Sequence, residues 1–166
     1  MVKIGLISDT HGYFDETVFD YFKEVDEIWH AGDIGNIATA DKLADFKPLF
    51  AVYGNIDGRD VRIVYPEYVC FKRAGLKVLI VHIGGYPGRY SFGARQLIER
   101  HKPGLFVCGH SHILKVMRDK KYGHLCMNPG AAGNYGFHHM KTLLRFDIDQ
   151  GKIKNLEAIE LGKRGQ

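Results

Sequence analysis

Apolar residues in this chain come in short runs that stop abruptly at turn or polar residues. Lys3-Ile4-Gly5-Leu6-Ile7-Ser8 stops at Asp9, Glu27-Ile28-Trp29-His30-Ala31-Gly32 at Asp33, and Pro48-Leu49-Phe50-Ala51-Val52-Tyr53-Gly54 at Asn55. Val78-Leu79-Ile80-Val81 stops at His82, and Leu105-Phe106-Val107-Cys108-Gly109 at His110. A run of this length bounded by turn residues reads as a buried strand. Helical spacing lies between the first of them. Val18, Phe19, Phe22 and Val25 make one helical face behind a capping residue, Asp15. A second helix is predicted over residues 37–46, with Ala40, Leu43, Ala44 and Phe46 inward and Pro48 preventing its continuation. Strand, helix, strand, helix, strand implies right-handed crossovers and a parallel sheet.

The pattern then changes. Tyr68–Lys72 and Lys77–Val81 flank Arg73-Ala74-Gly75-Leu76, which predicts a hairpin. A Gly-rich loop, Gly84-Gly85-Tyr86-Pro87-Gly88-Arg89, leads to a helix capped by Ser91, carrying Phe92, Leu97 and Ile98 and ended by Pro103. Two more hairpins follow: Leu114–Arg118 with His124–Met127, and Thr142–Ile148 with Ile153–Leu161 across Asp149-Gln150-Gly151. The expected class is α/β (α+β), two packed sheets with helices outside, in a single domain spanning residues 1–166. No internal repeat, low-complexity segment or linker interrupts it.

Composition narrows the class. Hydrophobic residues make up 45% and charged residues 25% of 166 positions, the balance of an ordinary globule. The formal charge of +4 suits an anionic substrate, but no run of five basic residues marks a nucleic-acid binder. Lys163-Arg164 reads as a solvated tail. Cys70, Cys108 and Cys126 show no CxxC spacing, which argues against a disulfide framework and for a reducing compartment. Cys108, inside an apolar run, reads as a small buried hydrophobe. With no signal-peptide pattern and no apolar stretch near membrane-spanning length, the expectation is a cytoplasmic protein with no membrane contact.

The chemistry sits where the strands stop. In open α/β sheets, sites form outside the carboxyl ends of the strands. Asp9, His11, Asp33, Asn55, His82, His110 and His112 would meet at one sheet edge. Seven ligands are too many for one ordinary ion and suit two. Carboxylate, imidazole and carboxamide without thiolate favour Mn, Fe, Co, Ni or Zn, of which Mn is favoured. Asp9/His11 and His110/His112 are pairs two residues apart, able to address one ion or two adjacent ones. Asp33, alone on its strand end, is the candidate bridge. Two ions about 3.5–4 Å apart acidify a bridging water and stabilise an in-line displacement. Two carboxylates against two divalent cations leave a positive site that attracts a phosphate oxyanion, and phosphoester hydrolysis is the reaction class that follows.

Asp9-Thr10-His11, Gly32-Asp33, Gly54-Asn55, His82 and Gly109-His110-Ser111-His112, in this order, resemble the motifs of the calcineurin-like metallophosphoesterase family. Asn128-Pro129-Gly130 resembles a loop of its small members. The resemblance implies a four-layer αββα sandwich, two mixed β-sheets flanked by helices, and the small single-domain bacterial and archaeal phosphodiesterase branch. It also implies that one metal takes Asp9, His11, Asp33 and His112, and the second Asp33, Asn55, His82 and His110. Two departures stand out. Many relatives carry a His after the Gly-Asn pair, where this chain has Ile56, and a second His in the motif occupied here by His82-Ile83-Gly84. The first loss removes a group able to protonate a leaving group, help worth about 10²–10⁴-fold.

Other polar residues are weighed against bland roles. Arg59 and Arg89, in loops after motif strands, are candidates to pair with phosphate oxygens. His138 and His139 follow the Gly-rich segment Gly130–Gly136, and His139 is carried forward as a substrate-side candidate. His30, His101 and His124 read as structural, and Asp57 as the residue that fixes its own loop by an Asx-type turn. The leading expectation is a dimetal phosphodiesterase acting on a small phosphoester. The alternative is a scaffold of the same fold used for protein contacts, as in a small eukaryotic trafficking subunit that resembles this family; Tyr86, Tyr90, Phe92, Tyr135 and Phe137 would supply an aromatic patch. A nuclease would need a basic groove that the sequence does not show. Homo-oligomerisation is left open by these residues.

Overall fold

A computed structural model describes residues 1–166. In chain order the elements are β1 (Val2–Ile7), α1 (Thr17–Phe22), β2 (Glu27–His30), α2 (Ile37–Phe46), β3 (Leu49–Ala51), α3 (Arg59–Arg62), β4 (Tyr68–Arg73) and β5 (Leu76–Val81). They continue with β6 (Gly85–Tyr86), β7 (Arg89–Tyr90), α4 (Phe92–His101), β8 (Leu105–Val107), β9 (Leu114–Arg118), β10 (Leu125–Pro129), β11 (Met140–Asp149) and β12 (Lys152–Lys163). One sheet has the order β12-β11-β1-β2-β3, the other β4-β5-β8-β10-β9, and β6 pairs with β7 as a small ribbon. β1, β2 and β3 are parallel, as expected, and so are β5, β8 and β10. Antiparallel strands complete both sheets.

Strand alternation builds the layers. Ile4, Leu6 and Trp29 of the first sheet pack against Val78, Ile80, Leu105, Val107 and Met127 of the second, forming the core between the sheets. The alternate residues face outward. Ile7 and Ile28 meet Val18, Phe22 and Leu43 of α1 and α2, while Leu79, Val81 and Phe106 meet Ala94 and Ile98 of α4. Helices, sheet, sheet, helix is the expected four-layer sandwich. Strands buried on both faces carry unbroken apolar runs, which is why the sequence shows them.

Several details differ from the sequence reading. α1 ends at Phe22, so Val25 is buried beyond the helix rather than on it. Asp15 does accept hydrogen bonds from the Thr17 backbone N–H and hydroxyl, but one residue ahead of the formal cap, Glu16. Ala44 is exposed on α2, and Phe92 is 67% exposed on α4, so neither faces the core. Asn36, not foreseen, caps α2 by accepting from Thr39 N. The Gly-rich loop contains the β6–β7 ribbon, and α3 follows Asn55 where a loop was expected.

Candidate metal centre

β1, β2, β3, β5 and β8 end on the same edge, and the seven expected side chains follow them. The loops are fastened across that edge. Asp9 N donates to Gly32 O, His11 N to Asp33 O and Gly109 N to His82 O, each at 3.0 Å. His110 N donates to Asp9 Oδ2 at 3.1 Å and links the two sheets. Glycine precedes Asn55 and His110 for a steric reason. A Cβ on Gly54 would collide with Asp33, and one on Gly109 with Ser8 and Asp9.

The side chains gather in two triads. The ligand atoms of Asp9, His11 and His112 lie within 4.8 Å of one another, and so do those of Asp33, His82 and His110. Asp33 faces both groups: its Oδ2 is 3.4 Å from His11 Nε2 and 3.2 Å from His82 Nε2. Its Oδ1 accepts from Ile56 N at 3.1 Å, which anchors the Asn55 loop beside it. Asn55 and His82 share the wall of one cavity. His112 Nε2 is 3.1 Å from Asp9 Oδ1.

Asp9 Oδ1, His11 Nε2 and His82 Nε2 are buried and have no hydrogen-bond partner. A buried polar atom without a partner costs about 1–3 kcal/mol, and three together at one point fit a cation. Ring orientation supports this. His82 Nδ1 donates to Ala31 O at 2.8 Å, which leaves Nε2 with a lone pair. His138 Nε2 donates to Gly133 O at 2.8 Å, so its Nδ1 accepts from His112 Nδ1 at 3.2 Å and frees His112 Nε2. The donor set of carboxylates and imidazoles fits a borderline divalent ion.

Charge is arranged accordingly. Burial opposes ionisation of Asp9, yet His11, His112, His82 and the Ser8 hydroxyl hold its carboxyl well below the usual carboxylate range. Asp33 is also lowered, His82 overcoming the effect of burial. Burial disfavours charge on His82, but Asp33 and Asp9 raise its pKa above the ordinary value. Both aspartates are therefore ionised at neutral pH.

Three side chains brace the loops. Asp57 is buried and accepts from Ile34 N, Gly35 N and Gly54 N at 3.1, 2.7 and 2.8 Å. It fixes its own loop, though through Gly54 N three residues before it and not by an Asx-type turn, and also ties the Asp33 loop to it. His30 Nδ1 accepts from Gly32 N, its Nε2 donates to Thr10 Oγ1, and Thr10 donates to Ile34 O. Full burial depresses the His30 pKa to about 4 and keeps the ring neutral. Asn128 Nδ2 donates to Gly109 O and Ser111 Oγ, steadying the turn that carries His110 and His112.

The substrate-side candidates fare unevenly. Arg89 lines a cavity with His110. Arg59 sits exposed at the start of α3 and lines no cavity beside the triads. Arg62, one turn on, is the arginine that reaches the Asn55 loop, donating from Nε to Asp57 O at 2.6 Å. His139 is exposed, whereas its neighbour His138 supports His112. His124 bonds Tyr90 away from the triads, as a structural residue.

Comparison with known proteins then decides the family. Residues 2–151 match the model of the calcineurin-like phosphoesterase superfamily domain. The chain belongs to this superfamily. The chain is 30% identical over 135 residues to a probable metallophosphoesterase of Methanothermobacter thermautotrophicus, covering 77% of this chain and 76% of the relative. Its fold is shared with a structurally characterised archaeal phosphodiesterase at TM-score 0.73 and 21% identity, covering 96% and 99% of the two chains. It is also shared with Vps29 of Entamoeba histolytica solved with zinc, at TM-score 0.73 and 17% identity, covering 95% and 98%. No helix of the chain is long and apolar enough to cross a membrane.

Proposed function

We propose that this chain, as one domain, is a cytoplasmic dimetal phosphodiesterase. One ion would be held by Asp9, His11, Asp33 and His112, the other by Asp33, Asn55, His82 and His110, with Mn the favoured metal. The observation that carries the reading is the pair of triads on either side of Asp33, with buried ligand atoms left without partners. Bound there, two divalent ions supply an acidified water as nucleophile and positive charge for the phosphoryl oxygens. The chain's own part is to preset the ligands. Asp33 faces both triads, His30 and Asp57 hold its loop, and the His138 ring sets the orientation of His112. Ile56 carries no proton for the leaving group, which favours esters whose leaving groups need little help.

The test is hydrolysis of bis(p-nitrophenyl) phosphate by protein loaded with Mn²⁺, alongside elemental analysis. Activity that follows metal content and falls at least about a hundredfold in Asp33→Asn, about 2.7 kcal/mol of barrier, supports the reading. Loaded protein that stays inactive with each divalent ion refutes it.

One observation favours a scaffold instead. Phe137 and Phe92 are 99% and 67% exposed, and the shared fold includes Vps29. A scaffold would bind metal without turnover, so the same assay separates the readings.

A further inference from the structure

Two adjacent cavities border the candidate metal centre. The larger, about 600 Å³, is bounded by Asn55 and His82 and by Tyr53, Tyr68 and Leu97. The smaller, about 330 Å³, is bounded by His110 and Ser111 and reaches under the β6–β7 ribbon. Ile83 and Ser91 line both and form the wall between them. A phosphoryl group held among Asn55, His82 and His110 therefore borders two separate recesses, enough for the two arms of a diester.

The recesses differ in charge. In the larger, the carboxylate of Glu67 stands with two cations, Arg62 and Arg100, and Arg62 is committed to the carbonyls of Asp57, Gly54 and Asn55. No carboxylate lines the smaller one. Tyr86 and Arg89 are directly paired across the ribbon, so their side chains share one face. Lys115 from β9 lies over the Tyr86 ring, its Nζ 3.8 Å from the centroid. Neither Arg89 nor Lys115 forms a salt bridge, and the Arg89 guanidinium makes no hydrogen bond. Two cations thus converge on one small recess with nothing to neutralise them, beside the Tyr86 ring and the exposed side chains of Ile83 and Ile113.

We propose that the smaller cavity is a specificity subsite for a diester arm bearing a second anionic group, which Arg89 and Lys115 pair with. The inference rests on the phosphodiesterase reading and narrows its substrate to a diester carrying a further phosphate or carboxylate on one arm. Arg89 offers a planar fork for two oxygens, and Lys115 a point charge held in place by Tyr86.

Two probes isolate the effect: thymidine 5′-(p-nitrophenyl phosphate), and the same compound with a 3′-phosphate. They share the leaving group and differ by one anion. Calorimetry on metal-loaded protein is expected to show at least tenfold tighter binding of the 3′-phosphorylated probe, and nitrophenol release the same preference in KM rather than kcat. Arg89→Ala with Lys115→Ala should abolish the preference, and Arg89→Lys should restore part of it over Arg89→Ala. Equal affinities in the native protein, or a preference that survives the double substitution, overturn the proposal. Preferential binding without nitrophenol release keeps the subsite and refutes the phosphodiesterase. Hydrolysis without preference does the reverse.

Discussion

Removing the Asp57 carboxylate should reveal how much of the metal centre is built by loop fastening. The side chain is 3% exposed and makes no contact with the triads through its own oxygens, yet it accepts three backbone N–H groups. Two belong to the turn after Asp33 and one to Gly54, before Asn55. Asp57→Ala leaves all three donors unsatisfied in a region too tight for easy hydration. Each such loss costs about 1–3 kcal/mol, and with partial relaxation the total is expected near 3–5 kcal/mol, against about 5–15 kcal/mol of whole-protein stability. Asp57→Asn is milder. Its carbonyl can keep the two bonds now made by Oδ2, but its NH₂ then faces the Gly35 N–H, so about 1–3 kcal/mol is expected. Urea unfolding in EDTA measures both losses without a metal contribution. Isothermal titration with Mn²⁺ should then show affinity falling about 10–100-fold in Asp57→Asn, the usual consequence of losing an outer support. If Asp57→Ala loses less than 1 kcal/mol, or Asp57→Asn binds metal as tightly as the native chain, the loops are held by other means and the reasoning fails.

Replacing His138 by Ala frees the His112 ring, and metal affinity should drop about 10–100-fold with little change in unfolding free energy; an unchanged affinity would deny the His112–His138 bond any role. Chelation should lower Tm by about 5–10 °C, since ligand at a hundred times Kd adds about 2.7 kcal/mol to a domain of this size, and calorimetry with and without EDTA reads it. His30, near pKa 4 when folded, takes up its proton in the unfolded chain at the ordinary value of 6.5. Its contribution to stability is therefore complete above pH 6.5 and lost as pH falls toward 4. Between pH 7 and pH 5 the loss should be about 2 kcal/mol, visible as the difference in pH slope between the native chain and His30→Gln. Parallel slopes would refute it.

The strands were legible because both faces of the central ones are buried. Val78 and Ile80 enter the inter-sheet core while Leu79 and Val81 meet α4, so no polar residue interrupts the run. The residues after those strands were legible for the same reason: each stands where an apolar run has to end. Boundaries set by tertiary contacts were not legible. Val25 is as apolar as Phe22, but α1 stops before it, and Phe92 begins α4 on the side turned to solvent. His138 and His139 carry the same chemistry in adjacent positions, and only the path of the chain from Gly133 selects His138. Arg62 escaped notice because α3, which aims it at the Asp57 carbonyl, is four residues long and has no amphipathic period to announce it.

The ligand loops carry a cost that the rest of the fold must cover. Asp9, His11, Asp33, His110 and His112 all have left-handed backbones, with φ of 54°, 48°, 53°, 70° and 59°. Such a conformation costs a non-glycine residue about 1–2 kcal/mol, somewhat less for Asp. Five of them together are comparable to the stability of a whole domain. They persist because the bonds that hold them lie within the chain: Gly32, Asp33 and His82 carbonyls accept across the edge, and Asp57, His30 and Asn128 brace the turns from behind. None of those bonds passes through a cation. The strain is therefore stored by the protein itself, and the proposed metal centre would not have to fold around its ions. It follows that the protein freed of metal by chelation should keep its far-UV circular dichroism unchanged even as Tm falls. A loss of strand signal on chelation would mean that the metals, and not these backbone bonds, hold the five residues in place.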